Sequence, residues 1–117
     1  MQSDRELLIM VDASRVAALQ QILRDSPDDA FARYALGLEY SSVGDAEAAL
    51  AEFDRLLASH PDYTNGYFMA AQVLERSGRF NEARHRLEQG IASARQSNNR
   101  HALSEMEAML ETLSASD

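Results

Sequence analysis

Two stretches of the chain, Ser26-Pro27-Asp28-Asp29-Ala30-Phe31 and His60-Pro61-Asp62-Tyr63-Thr64-Asn65, carry a Pro-Asp step 34 positions apart, and Pro27 and Pro61 are the only two prolines in 117 residues. Proline lacks a backbone donor and pushes the residue before it out of helical geometry. Sliding the sequence on itself by 34 also brings Gly44 onto Gly78, Ala49 onto Ala83, Leu23 onto Leu57, Tyr34 onto Phe68 and Phe53 onto Leu87. Self-similarity at this period is the mark of a repeated helix–turn–helix unit.

The residues between the matched positions supply the local chemistry. Residues 29–43 contain no proline and predict a helix. Gly44 can take the left-handed conformation that closes it. Asp45 then caps a second helix, whose apolar residues Ala46, Ala49, Leu50, Phe53, Leu56 and Leu57 recur at helical spacing and which ends near Ser59. In the second copy, Asp62 is expected to cap a helix over 63–77, Gly78 to close it, and Asn81 to cap another over 82–96. Each Pro-Asp step thus stops one helix and starts the next.

The spacing resembles the tetratricopeptide repeat (TPR) family, whose signature runs Trp, then Leu-Gly, then Tyr, followed by Ala, Phe and a closing Pro. Repeat 28–61 matches with Leu36, Gly37, Tyr40, Ala49, Phe53 and Pro61, with Arg33 in the Trp place. Repeat 62–95 has Tyr67 in that place, then Ala70, Ala71, Leu74, Ala83 and Leu87. Arg95 stands where the closing proline would be, so this helix is expected to run on. The resemblance implies an all-α superhelix of antiparallel helical hairpins forming one domain. Residues 1–27 would be a partial repeat, 28–61 and 62–95 two full repeats, and 96–117 a C-terminal capping helix. Gly37 and Ala71, with Ala49 and Ala83, are small where paired helices would cross at about 8–10 Å.

At the N-terminal end, residues 13–25 read as the second helix of an incomplete repeat. Residues 4–10 remain for a short partner helix, with Ser3 and Glu6 spaced as a capping box. At the other end, Ala102, Leu103, Met106, Met109, Leu110 and Leu113 form one stripe of an amphipathic helix over 99–114. It stands where a third repeat's first helix would be, with Ser104-Glu105 in the Leu-Gly place under the 34-residue slide. It reads as a cap over the last pair or as the seam of a homodimer.

Charge and composition narrow the function. The net charge is −8, all basic residues are Arg, and Cys is absent. Disulfides, thiolate metal sites and cysteine nucleophiles are therefore excluded. Nucleic acid and anionic lipid are poor partners for an acidic chain. No apolar run approaches the roughly 18 residues that span a bilayer. The N-terminal sequence has neither a basic lead nor a long apolar stretch, which makes a cytoplasmic location the expectation. His60, His85 and His101 show no ligand spacing, and no phosphate loop or nucleophile elbow occurs. Asp28/Asp29 and Asp45/Glu47 suit helix starts better than an acid/base pair. The expectation is a non-enzyme without a cofactor or metal.

Helix 29–43 carries a second apolar face opposite the one the signature assigns to its partner. In proteins similar to this one, the first helices of successive repeats line a concave groove that binds peptides. By that resemblance the candidate groove is Phe31, Tyr34, Leu38, Asn65, Phe68, Met69, Gln72 and Glu75, unless neighbouring helices already cover part of the stripe. Aromatic and Met side chains there suit a helix or an extended apolar segment of an unidentified protein partner. Some family members clamp a terminal carboxylate with Lys, Arg and Asn on this face. Here Tyr34, Leu38, Phe68 and Gln72 hold those places and the chain has no Lys, so such clamping is not expected. The chain therefore reads first as an interaction module. Self-association of its apolar stripes comes second, and a regulatory subunit docking an enzyme through its surface third.

Overall fold

The computed structural model describes the backbone of residues 4–115 and the side chains of residues 13–115. Six helices follow in order: α1 (Asp4–Asp25), α2 (Ala30–Ser42), α3 (Ala46–Ser59), α4 (Thr64–Arg76), α5 (Phe80–Gln96) and α6 (Arg100–Ala115). The described residues contain no strand. Each helix packs on the next. In addition α2 touches α4, and α4 touches α6. These three form one closely spaced layer. α3 and α5 lie in the other layer and reach each other through long side chains, Arg79 to Glu47 at 3.4 Å and Arg86 to Asp54 at 2.7 Å. Tight spacing on one side and side-chain bridging on the other curve the stack, with α2, α4 and α6 on the concave side. The protein is an all-α superhelix of antiparallel hairpins.

Two devices end the helices. At α1 and α3 the chain runs into Pro27 and Pro61. At α2, α4 and α5 a residue with positive φ closes the last turn: Gly44 (80°), Gly78 (74°) and Asn98 (58°). Each is followed by the same pair of backbone bonds, as in Gly44 N–H to Ser41 O at 3.1 Å and Asp45 N–H to Tyr40 O at 2.9 Å. This arrangement satisfies carbonyls that a helix end leaves open. The extra length expected of α5 is present: it reaches Gln96, and Asn98 replaces the proline joint.

Helix starts follow the sequence only in part. Asp29 accepts from Ala32 N–H at 2.9 Å and Asp45 from Ala48 N–H at 3.2 Å. Asn99 does the same for α6, accepting from Ala102 N–H at 3.1 Å. The caps expected of Asp62 and Asn81 do not form. Tyr63 and Arg79 stand at those N-cap positions without a side-chain cap bond. Two reinforcements hold the joints instead. Arg33 and Tyr67, in the same place of successive repeats, reach back to equivalent carbonyls. Arg33 donates to Pro27 O at 3.1 Å, and the Tyr67 hydroxyl donates to Pro61 O at 2.6 Å. Arg33 also pairs with Glu52 at 2.8 Å, both side chains being largely covered.

The N-terminal expectation is corrected. Residues 4–10 and 13–25 are one continuous helix, α1, rather than a helix and a short partner. The sequence between them, Val11-Asp12, holds neither Gly nor Pro, so nothing interrupts the backbone ladder. The Ser3–Glu6 capping box lies outside the residues whose side chains are described.

The core runs through α3 to α6 around Phe53, Leu56, Leu87 and Met106, the largest fully buried side chains. Ala49, Ala70, Ala71 and Ala83 are fully buried with them, as the crossing argument requires. Gly37 is the tightest point of the first hairpin, where a Cβ would lie 2.6 Å from the Phe53 ring. Gly66 is likewise a packing site, its missing Cβ 2.9 Å from Leu57. Gly37→Ala is therefore expected to destabilise by about 1–3 kcal/mol in urea unfolding. Its better helix propensity alone would stabilise by about 1 kcal/mol. The loss should shrink in a Phe53→Leu background, and a stabilised single variant would refute the close crossing.

Candidate functional site

The concave layer is built from one face each of α2, α4 and α6. The first-repeat candidates do not share one exposure. Phe31, in the first turn of α2, is 70% exposed. Tyr34 and Leu38 are half-buried and pack against the core. The Tyr34 ring lies 5.2 Å from the Tyr63 ring and 6.3 Å from that of Phe53, tilted to both. The contact with Tyr63 joins α2 to the start of α4 at this point. Tyr34 is thus as much a structural residue as a surface one.

On α4, Phe68, Gln72 and Glu75 come together. With Arg76 and with Met109 and Thr112 of α6, they line an open cleft of about 470 Å³. Met69 is half-buried against the core, and Asn65 is exposed. Of the eight residues marked out in sequence, this cleft collects three. Arg76 also donates to Ser41 Oγ at 2.8 Å, which ties α4 to α2.

Arg76 was missed because the stripe followed along α4 ended at Glu75, and Met109 and Thr112 because α6 read as a cap or a dimer seam and its register departs from the strict period. α2 and α4 begin 34 residues apart, whereas α4 (Thr64) and α6 (Arg100) begin 36 apart. The N-cap bonds of Asp29 and Asn99 anchor this register independently. Thr112 therefore stands where Arg76 does one repeat earlier. The Leu-Gly place in α6 falls on Met106-Glu107 rather than Ser104-Glu105. Arg95 in the place of the closing proline and the Asn98-Asn99 pair after it were the signals available in the sequence.

A second cleft of about 470 Å³ lies between α3 and α5, floored by Leu50 and Leu74. Its guanidiniums are already engaged, Arg79 with Glu82 and Glu47, and Arg86 with Asp54. The three histidines are dispersed. His60 bonds the Asp28 carbonyl at 3.0 Å, His85 edges this outer cleft, and His101 faces Glu105. Among the described residues no three His, Asp or Glu side chains are placed to hold a metal, and no helix is long and apolar enough to cross a membrane.

Comparison with known proteins adds the family context. The tetratricopeptide repeat family matches residues 42–106, and a second profile of that family matches residues 10–68. A TPR repeat-containing protein of Pseudomonas aeruginosa is 31% identical over 98 residues, covering 84% of this chain and 93% of that protein. The solution structure of a tetratricopeptide repeat domain protein from Salinibacter ruber superposes with a TM-score of 0.74 at 33% identity, covering 79% of this chain and 93% of that one. The crystal structure of PcrH in complex with the chaperone binding region of PopD has the same fold. It gives a TM-score of 0.84 at 20% identity, covering 95% of this chain and 84% of that one.

The covered tyrosines Tyr34, Tyr63 and Tyr67 give the packing around α2 and α4 a measurable signature. Burial pushes the Tyr34 phenol above the ordinary 10.0; the neighbouring Tyr63 adds to the rise, and the Asn65 side chain opposes it. Burial likewise raises Tyr63, with Asp29 contributing, and Tyr67, where Arg86 pulls the other way. A raised phenol favours the neutral form in the folded state. Its stability contribution is therefore complete below 10 and is lost as pH rises through the folded values. Absorbance titration of native protein should show phenolate forming later than in urea, and thermal stability should fall above pH 10. Coincident titrations in the two states would contradict the packing of Tyr34 on Tyr63.

Proposed function

The chain belongs to the tetratricopeptide repeat family, and from that premise we propose that it is a non-catalytic module that holds a segment of a partner protein against its concave layer. The fold is generally used for protein–protein interaction. The observation that carries the finer reading is the α4–α6 cleft, where Phe68 and Met109 supply apolar surface and Gln72, Glu75, Arg76 and Thr112 surround it with polar groups. Mixed apolar and polar lining suits a side chain anchored from a peptide whose backbone is bonded at the rim. Phe31, exposed at the far end of the layer, and Tyr34, Leu38, Asn65 and Met69 between would extend the contact toward α2. The complex of PcrH with a region of PopD is a case of a similar fold engaging a protein segment.

Self-association through the α6 stripe is the weaker reading. Ala102, Met106 and Leu113 of that stripe are already buried within the chain, and Leu103, Met109 and Leu110 are partly covered.

Affinity capture from the source organism followed by mass spectrometry would name the partner, and an NMR titration with its binding segment would then place the contact. Amide shifts are expected over residues 68–76 and 109–112. Phe31→Ser combined with Gln72→Arg should weaken binding roughly tenfold or more, in keeping with loss of an interface anchor, with unchanged helicity. Shifts confined to the outer layer would overturn the reading. Light scattering should give the 13.0 kDa monomer at all concentrations, and a stable dimer would favour self-association.

A further inference from the structure

The outer side of α6 is built differently from that of α2 and α4. In the first two hairpins, this side of the first helix is covered by the second helix, α3 on α2 and α5 on α4. α6 packs on α5 and α4, and among the described residues no other helix covers it. The uncovered side forms an open cleft of about 480 Å³ between α5 and α6. Its walls are two antiparallel stripes, Glu88, Ile91 and Arg95 on α5 and Glu107, Leu110 and Glu111 on α6. By the register of the helix starts, Glu107 and Leu110 stand where Gly37 and Tyr40 stand in α2. Those are positions that face the covering helix.

Charge decides what fits there. The carboxylates within the first hairpin, α2 and α3, are all paired, Glu39 with Arg15, Glu47 with Arg79, Glu52 with Arg33 and Asp54 with Arg86. Glu88, Glu107 and Glu111 enter no ion pair among the described residues, and Arg95 is the one cation lining the cleft. Two copies meeting here would oppose three carboxylates to three with only two guanidiniums between them, which disfavours a homodimer. At the same time Glu107, where the first hairpin has glycine, excludes the close approach that Phe53 makes to Gly37. The occupant must be an amphipathic helix with small or unbranched apolar residues on one stripe, and Lys or Arg beside it to meet the glutamates.

We propose that the α5–α6 cleft is a docking seat for a basic amphipathic helix of a partner protein, lying where the second helix of a third hairpin would lie. Ile91 and Leu110 form its apolar floor, and Glu88, Glu107 and Glu111 its acidic rim. The seat is distinct from the concave layer, so it stands or falls separately from the groove.

The probe is a synthetic amphipathic peptide of about five helical turns, with Ala and Met at helical spacing and Arg and Lys on the flanks. A twin carries Glu at every basic position. The basic peptide should bind saturably, shift the amides around Ile91, Glu107, Leu110 and Glu111, and lose affinity between about 0.05 M and about 0.3 M salt. Glu107→Arg with Glu111→Arg, at exposed positions, should weaken it roughly tenfold or more. Phe31→Ser with Gln72→Arg should leave it unchanged. The isosteric pair Glu107→Gln and Glu111→Gln provides the same test should the reversals disturb the fold. No saturable binding, equal binding of the twin, shifts centred on Phe68 and Gln72, or unaltered affinity in the glutamate variants would each overturn the proposal.

Discussion

The approach of α2 to α3 at Gly37 governs the rest of the molecule. The Phe53 ring fills the space a Cβ would take, and that ring lies 6.3 Å from the Tyr34 ring, tilted to it. Tyr34 in turn meets Tyr63 at the start of α4. A wider crossing would therefore move the aromatic contacts that set where the second hairpin begins. Because interiors are packed close to crystal density, such a displacement cannot be absorbed locally. The fully buried alanines Ala49, Ala71 and Ala83 extend the same requirement along the stack.

Packing sets how close the helices come, and the joints set their direction. Proline ends α1 and α3 by removing the option of continuing, while left-handed residues end α2, α4 and α5 by capping carbonyls. The two proline joints are then fastened from above by side chains of different chemistry. A guanidinium at Arg33 and a phenol at Tyr67 each donate to the carbonyl of the proline that precedes their own repeat. The family's tryptophan place is thus filled here by whatever donor reaches that oxygen. His60 adds a bond from the second joint to the first, at the Asp28 carbonyl.

This division explains what the sequence revealed. Helices expected over 29–43, 63–77 and 99–114 form as Ala30–Ser42, Thr64–Arg76 and Arg100–Ala115, because packing residues and stop signals recur with the fold's own period. Capping was less legible. A carboxylate near a helix start can serve as the cap or be passed over: Asp45, after Gly44, is the N-cap of α3, while Asp62, after Pro61, stands one residue before the N-cap Tyr63. The continuity of α1 was hidden because the expected partner helix was inferred from the repeat pattern, and nothing in the chain between residues 10 and 13 breaks a helix.

The candidate groove was least legible, for a physical reason. Residues facing solvent or a partner owe nothing to the period, so only their register reveals who shares a cleft. A two-residue lengthening at the α5–α6 junction leaves the packing of Met106 against Gly90 intact, yet it brings Thr112 beside Arg76 where the strict period would bring another residue. The glycine place of the earlier hairpin holds a glutamate in either register, Glu105 by the strict period and Glu107 by the observed one. A change that the core tolerates thus gives the inner side of α6 a cleft unlike that of α2, while on the outer side Glu107 presents a surface that no helix of the earlier hairpins could cover as α3 covers α2. In a stack whose signature residues are spent on packing, differences between repeats arise where the period slips, and α6 is where this chain departs from its own pattern.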